Sequence, residues 1–278
     1  LEGRAAIGGT WDLFRYPGIR SDSDMYTLSW PFRPWKNPKA IADGDDIRTY
    51  IREAADEFGI EKNIQFGHRV ISASWSTDDA TWTVTSTANG ETVTHTASFV
   101  YLCSGYYSYD EGYTPQFPGL DAYKGQVIHP QFWPEDLDYA DKEVVVIGSG
   151  ATAVTLVPSM ADEVKHITML QRSPSYVMAL PQEDKLADIM RKVLPDGFAH
   201  RTIRRKNAMF SIGMYQFCQR FPKASRKLLL RMAKKKLPEG YDVDPHFTPV
   251  YDPWDQRLCI VPTGALFHTI RKGKASII

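Results

Sequence analysis

From Asp45 to Phe58 apolar side chains recur at helical spacing, through Ile47, Tyr50, Ile51, Ala54, Ala55 and Phe58, and Gly59 supplies a stop. The spacing predicts an amphipathic helix. Beyond it the pattern changes: β-branched and aromatic runs at Val70-Ile71, Trp75, Trp82-Thr83-Val84 and Thr92 to Tyr101 are broken by Asp78-Asp79 and Asn89-Gly90. This predicts a small antiparallel meander, closing in a buried strand, Phe99-Val100-Tyr101-Leu102-Cys103. Residues 1–35 hold neither period and read as a long ordered loop, with Leu1-Glu2 as the end of an earlier strand. The continuous apolar run Val144-Val145-Val146-Ile147 is of the kind shown by a parallel strand covered on both faces. It leads through a glycine turn into a helix ending at Met160 and a second strand, His166 to Leu170, which is βαβ order. Residues 181–240 read as helical, Tyr241 to Pro262 as an irregular Pro-rich loop, and Ala275 to Ile278 as a further strand.

Composition narrows the function classes. With 278 residues, 43% of them hydrophobic, and 33 basic against 33 acidic side chains, the chain favours neither nucleic acid nor an acidic partner in bulk. Its charge is uneven, however. Residues 181–240 carry 15 basic and 5 acidic side chains, leaving 18 and 28 elsewhere. That basic stretch reads as a solvated face, as an interfacial surface near acidic lipid, or as a steering field for anionic ligands. Cys103, Cys218 and Cys259 show no Cys-x-x-Cys and no metal-ligand spacing, so neither a metal nor a thiol redox pair is expected and a reducing cytoplasm is. No apolar run approaches the ~20 residues that a spanning helix requires. Both ends are expected to be truncations, since the chain opens at Leu1 and stops inside a strand-like run.

The glycine turn carries the first chemistry. Gly148-Ser149-Gly150-Ala151-Thr152-Ala153 follows a strand and opens a helix that continues with Val154. In that context Gly148 allows the tight turn, Gly150 lets a pyrophosphate approach the backbone, and Ala153 permits close helix–strand packing. The helix N-terminus offers free N–H groups to the phosphates. After the second strand, where an NAD-binding unit usually places a carboxylate, stand Arg172 and Ser173, donors suited to a 2′-phosphate. NADPH is therefore expected over NADH. Glu2, at the end of the first expected strand, would accept from an adenosine ribose in an earlier dinucleotide unit.

Two longer patterns flank this turn. Gly8-Gly9-Thr10-Trp11 through Tyr16-Pro17-Gly18 to Asp22 fits [AG]-G-x-W-x-x-x-x-[FY]-P-[GM]-x-x-x-D at every fixed position. Tyr123-x-Gly125-x-x-x-His129-x-x-x-Trp133-Pro134 fits F-x-G-x-x-x-H-x-x-x-W-P with Tyr for the leading Phe. The chain resembles the Baeyer–Villiger, or class B, flavoprotein monooxygenases over essentially its whole length, and most of all the actinobacterial members that activate thioamide drugs.

The resemblance implies an α/β fold of two Rossmann-like dinucleotide-binding domains, for FAD and NADPH, with a small antiparallel meander and a helical insertion. The expected division is an FAD domain at 1–140, an NADPH unit at 141–180, a basic helical insertion at 181–240, and an active-site loop returning to the NADPH domain at 241–278. It also implies site residues. Thr10, Trp11, Asp12, Leu13 and Asp22 would line the flavin beside Glu2, with the backbone of Val70 near the adenine. Arg20, Ser21 and Asp22 would face the nicotinamide half of NADPH. Arg257 matches the active-site arginine, while Gln256 departs from the lysine usual before it, which throws more of the phosphate reading onto Arg172. With molecular oxygen as co-substrate, Arg257 would stabilise negative charge developing on oxygen, and Asp22 would hold its guanidinium. The substrate implied is a small hydrophobic ketone or sulfur compound, met in the cytoplasm or at a membrane surface through the basic insertion. His129 reads as a turn-fixing residue, Trp133-Pro134 as a hinge, and Tyr106, Tyr107 and Tyr109 as packing. Rival readings are a flavin-containing N- or S-monooxygenase, a flavoprotein reductase without oxygen insertion, and a non-catalytic nucleotide sensor.

Overall fold

A computed structural model describes residues 1–278. In chain order the helices are α1 (Thr10–Leu13), α2 (Met25–Leu28), α3 (Gly44–Glu57), α4 (Ala151–Met160), α5 (Lys185–Val193), α6 (Asp196–Arg220), α7 (Pro222–Lys236), α8 (Asp244–Phe247) and α9 (Ala265–Arg271). The strands are β1 (His68–Ser76), β2 (Thr81–Ala88), β3 (Glu91–Ala97), β4 (Glu143–Ile147), β5 (His166–Leu170), β6 (Tyr176–Leu180), β7 (Leu258–Pro262) and β8 (Ala275–Ile277). By packing, the chain divides into two compact units, Leu1–Phe14 with Ile47–Phe132, and Arg15–Asp46 with Trp133–Ile278. The segment 15–46 therefore belongs with the second unit, although it lies inside the 1–140 span expected to be one domain.

In the first unit, α3 buries Ile47, Tyr50, Ala54 and Ala55. It ends as its sequence requires: Gly59 turns left-handed at φ 58°, its N–H reaches Asp56 O at 3.0 Å, and the Ile60 N–H reaches Ala55 O at 2.8 Å. The meander β1-β2-β3 is antiparallel throughout. Asn89 and Gly90, both at positive φ, make the two-residue turn that the right-handed strand twist favours. Trp75 and Trp82 face each other across β1 and β2 with ring centroids 5.6 Å apart. The expected strand at Phe99–Cys103 does not form, and Phe99, Tyr101 and Leu102 are exposed. No strand lies beside it to complete a ladder, and an apolar run without ladder partners has no reason to order as a strand. Residues 1–35 contain two helical turns, α1 and α2, rather than loop alone. Glu2 pairs its backbone with Gln65 and His68 outside any named strand.

The second unit holds the parallel sheet β4-β5-β8, with β4 and β5 in register from Glu143↔His166 to Ile147↔Leu170. Helices α4 and α9 pack on the sheet and close a core around Val157, Ile167, Val261, Leu266 and Phe267. Only one face of β4 is covered: Val144 and Val146 pack inward, while Val145 and Ile147 are each 60% exposed. This corrects the expectation of a strand buried on both sides, because an apolar run specifies two hydrophobic faces without supplying the layer that covers the second. A further parallel pair, β6 and β7, was not foreseen: β7 lies within the stretch read as irregular, and no element was assigned to residues 176–180. Tyr176–Leu180 and Leu258–Pro262 are each five residues long and acquire strand structure only by finding one another.

The segment 15–46 closes on itself, with Ser21 N–H to Ala42 O (2.9 Å), Met25 N–H to Ala40 O (2.7 Å) and Gly44 N–H to Ile19 O (2.8 Å). Onto it docks the helical insertion. Asp24 caps α2 by accepting from Thr27 N–H at 3.0 Å and takes a second bond from Asn207 Nδ2 on α6 at 2.9 Å. Arg191 on α5 donates to the Tyr26 hydroxyl at 3.1 Å, and Arg204 on α6 donates to Ser29 O at 2.7 Å.

Burial raises the Tyr26 phenol from 10.0 to about 12. The folded state thus holds that proton more tightly than the unfolded chain, so this stabilisation is complete below pH 10 and is lost as pH rises through 12. Tyr26→Phe, which removes the hydroxyl and strands its partners, is expected to cost about 1–3 kcal/mol near neutral pH. The gap to wild type should narrow between pH 10 and pH 12 in thermal unfolding. A gap independent of pH across that range would refute the assignment.

Candidate cofactor and active site

The glycine turn sits where β4 ends. Gly148 N–H extends the sheet by bonding Leu170 O at 2.8 Å, and Gly148 itself adopts φ 132° with open space where a side chain would stand. Gly150 is the extended N-cap of α4, and no side chain caps the helix. The first-turn N–H groups of Ala151, Thr152 and Ala153 are left for an outside acceptor. Ser149 is buried and fixes the turn to the chain after β5, donating to Ser173 O at 2.8 Å and lying 3.2 Å from the Ser175 hydroxyl. Ala153 and Val154 are buried in the core beneath. An open cradle over a glycine, beside an uncapped helix start, suits an anionic dinucleotide linkage and would be lost to any side chain at 148.

Segment 15–46 brings three more groups to this place. Gly18, at φ 74°, lies against α4 so closely that a Cβ there would run into the Ser159 hydroxyl and stand 2.8 Å from its Cβ. Two residues earlier, Tyr16 bonds the Thr152 side chain in the first turn of α4, and burial raises its phenol above the ordinary range. Arg20 is partly buried; burial lowers its pKa, while Tyr16, Asp43 and Asp22 act the other way. Its Nη2 is buried without a hydrogen-bond partner, and Nη1 reaches only Gly18 O, at 3.5 Å. A buried guanidinium with an unanswered N–H is set for an acceptor from outside the protein.

Arg257 comes from the opposite side of the turn, immediately before β7. A Cβ on Gly150 would lie 3.6 Å from its Nη1, which places the guanidinium over the helix start. The loop that carries it is held firmly. Tyr251 donates its hydroxyl to Arg257 O at 2.9 Å and accepts at its own carbonyl from the Tyr176 hydroxyl at 2.9 Å. Trp254 stands at φ 77°, rare for an aromatic residue, and packs edge-on against Tyr215 with centroids 6.1 Å apart. Asp22 is exposed and bonded by the Ser23 hydroxyl at 3.4 Å, and it forms no ion pair with Arg257. Both nonetheless act on the buried thiol of Cys259, which burial pushes up to about 11, Arg257 opposing and Asp22 reinforcing the rise.

The remaining expected residues fall in two groups. Arg172 is exposed just past β5, with no hydrogen bond or ion pair to engage it, and Ser173 follows with its carbonyl on Ser149. Ser21 is buried, its hydroxyl accepting from Ala42 N–H at 3.0 Å, so its side chain supports the loop. In the first unit, Gly8 and Gly9 lead at positive φ into α1, which carries Thr10, Trp11, Asp12 and Leu13. Asp12 is buried and paired with Arg4 (2.7 Å) and Arg52 (3.5 Å). Glu2 accepts from Arg4 N–H at 2.8 Å, and Arg4 leaves a buried Nε unpartnered. Val70 lies exposed on β1 at a bulge. His129 accepts from Gln131 N–H at 3.2 Å, a turn-fixing contact. Tyr16, Trp254 and Tyr251 are the functional supports that sequence reading missed. Only Tyr16, inside the first signature, carried a signal.

The family can now be stated. A sequence profile of flavin-binding monooxygenase-like proteins matches residues 24–227, and the chain belongs to that family. It is 57% identical over its whole length to the FAD-containing monooxygenase EthA of Mycolicibacterium smegmatis, and 54% identical to EthA of Mycobacterium tuberculosis strain H37Rv. It spans 57% of the length of each. In structure it is similar to a steroid monooxygenase bound to NADP, with TM-score 0.78 and 22% identity, covering 100% of this chain and 60% of that one. The fold, α/β with paired dinucleotide-binding domains, follows from that likeness.

Gly18→Ala should destabilise the second unit by at least about 2 kcal/mol, combining left-handed strain with the clash on Ser159. Ser159→Gly should recover the clash and leave the strain. Thermal unfolding of the single and double variants reads both terms, and a Gly18→Ala protein as stable as wild type would show that the loop does not need this approach.

Proposed function

We propose that the protein is an FAD- and NADPH-dependent monooxygenase that inserts one oxygen atom from O2 beside the carbonyl of small hydrophobic ketones, and that it oxygenates sulfur compounds. Its three free cysteines suit a reducing cytoplasm. The observation that carries the reading is Arg257 poised over the start of α4, on a loop held by Tyr251 and by the strained Trp254.

NADPH would lie along the glycine turn, its pyrophosphate on the first-turn N–H groups of α4 and its 2′-phosphate at Arg172 and Ser173. FAD would be held in the first unit by Glu2 and the Gly8–Leu13 turn. When bound, the flavin supplies the electrons and the activation of oxygen. The chain's own residues do the rest. Arg20 meets the nicotinamide half with its unanswered Nη2. The Arg257 guanidinium stabilises the negative charge that appears on the carbonyl oxygen when oxygen adds to the carbon. Asp22, near enough to sense the same thiol as Arg257, lowers the net positive charge there without the rigid pairing that would neutralise the guanidinium.

The direct experiment supplies the FAD-loaded protein with NADPH, labelled O2 and a panel of ketones and sulfides. Esters or sulfoxides carrying one labelled oxygen are expected; NADPH consumption without a labelled product would make the protein a reductase. Arg172→Ala should raise KM for NADPH roughly ten- to a hundredfold and leave that for NADH little changed, the loss of one charge-assisted phosphate contact. Equal effects on the two would sink that role. Arg257→Ala should keep flavin content and lose ester formation, so near wild-type ketone conversion would remove Arg257 from the chemistry.

A further inference from the structure

Within α6, residues 207–219 contain no charged side chain. They are not buried as such a run would be in a core: Met209, Phe210 and Ile212 are 66%, 56% and 61% exposed. Phe198, near the start of the same helix, and Phe221, just past its end, are likewise more than half exposed. At helical spacing Phe198, Arg205, Met209 and Ile212 share one face. Single exposed apolar residues are ordinary, but several on one face of a helix, Met209 and Ile212 a turn apart among them, mark a contact surface.

Basic residues border the set at both ends. Arg201 and Arg205 precede the uncharged run; Arg220, Lys223 and Lys227 follow it, and all five are exposed. The few acids of the insertion are partly spent internally, Asp184 on Lys206 and Asp188 on Arg191. No helix of the protein is long and apolar enough to cross a membrane. A run of 13 uncharged residues flanked by Arg and Lys is too short to span and suits a helix lying in the headgroup layer, with apolar side chains down and basic stems reaching up to phosphates. A protein partner would be expected to meet fewer lysines around the contact.

We propose that this face of the helical insertion, Phe198 to Lys227, docks the protein on a bilayer surface rich in anionic lipid. Both the charge and the apolar area take part, so binding needs anionic headgroups and weakens with salt.

The test is sedimentation of the FAD-loaded protein with vesicles of phosphatidylcholine alone and of phosphatidylcholine mixed with phosphatidylglycerol. Binding is expected to the mixed vesicles and to fall as salt rises. The double variant Met209→Ser/Ile212→Ser should bind at least tenfold more weakly with unchanged thermal stability, and Arg205→Glu/Lys223→Glu should lose the preference for anionic lipid. Met209→Trp should show blue-shifted emission on mixed vesicles, a readout independent of the serine variants. No vesicle binding, binding indifferent to lipid charge, or wild-type binding by the serine double variant would each overturn the proposal. So would light scattering showing a dimer that Met209→Ser/Ile212→Ser dissociates, which would give the face to a second copy.

Discussion

The approach of the Tyr16-Pro17-Gly18 turn to α4, possible only where position 18 lacks a side chain, governs how the second unit presents its chemistry. With that approach in place, Tyr16 reaches Thr152 in the first turn of the helix and Arg20 is drawn into partial burial nearby. Segment 15–46 then closes on itself through Ser21, Ala42 and Gly44, and offers Tyr26 and Ser29 as anchor points for α5 and α6. The helix proposed to hold the dinucleotide phosphates is thus also the post to which the loop and, through it, the insertion are tied.

Around the glycine turn the protein places two guanidinium groups, neither of them in an ion pair. Arg20 has an orphan N–H, and Arg257 has no carboxylate partner although Asp22 is close enough to influence the same thiol. Leaving the buried Arg20 donor unanswered costs stability, since an unmet buried donor forfeits about 1–3 kcal/mol, whereas Arg257 is exposed to solvent. The backbone strain at Trp254 is a second cost, sustained because Tyr215, Tyr251 and Tyr176 over-determine the loop. Costs of this kind gathered at one turn are what a site prepared for an anionic ligand requires, the ligand returning the missing interactions.

How much of this was legible varies with the range of the interaction. Helix α3 with its Gly59 stop, the meander with its Asn89-Gly90 turn, and the βαβ order around Gly148 are set by local spacing and turn chemistry, and each stands where the pattern placed it. The pair β6 and β7 was invisible because each strand finds its partner far away in sequence, whereas β4 and β5, of the same length, are joined through a single glycine turn and helix. Phe99–Cys103 erred the other way: an apolar, β-branched run expresses a propensity, and without neighbouring strands propensity alone does not build a ladder.

The sequence by itself determined the residue types of the site, the glycines at 148 and 150, the donors at 172 and 173, and the signature from Gly8 to Asp22, because these are demands of backbone conformation and phosphate chemistry that a spacing can express. Tertiary structure decided that residues 15–46 pack with the second unit, that the Ser21 hydroxyl is taken up by the Ala42 N–H, that Arg257 overlies Gly150, and that one face of β4 and the middle of α6 stand uncovered. Those outcomes depend on which surfaces meet across long stretches of chain, and burial is a property of the neighbour as much as of the residue.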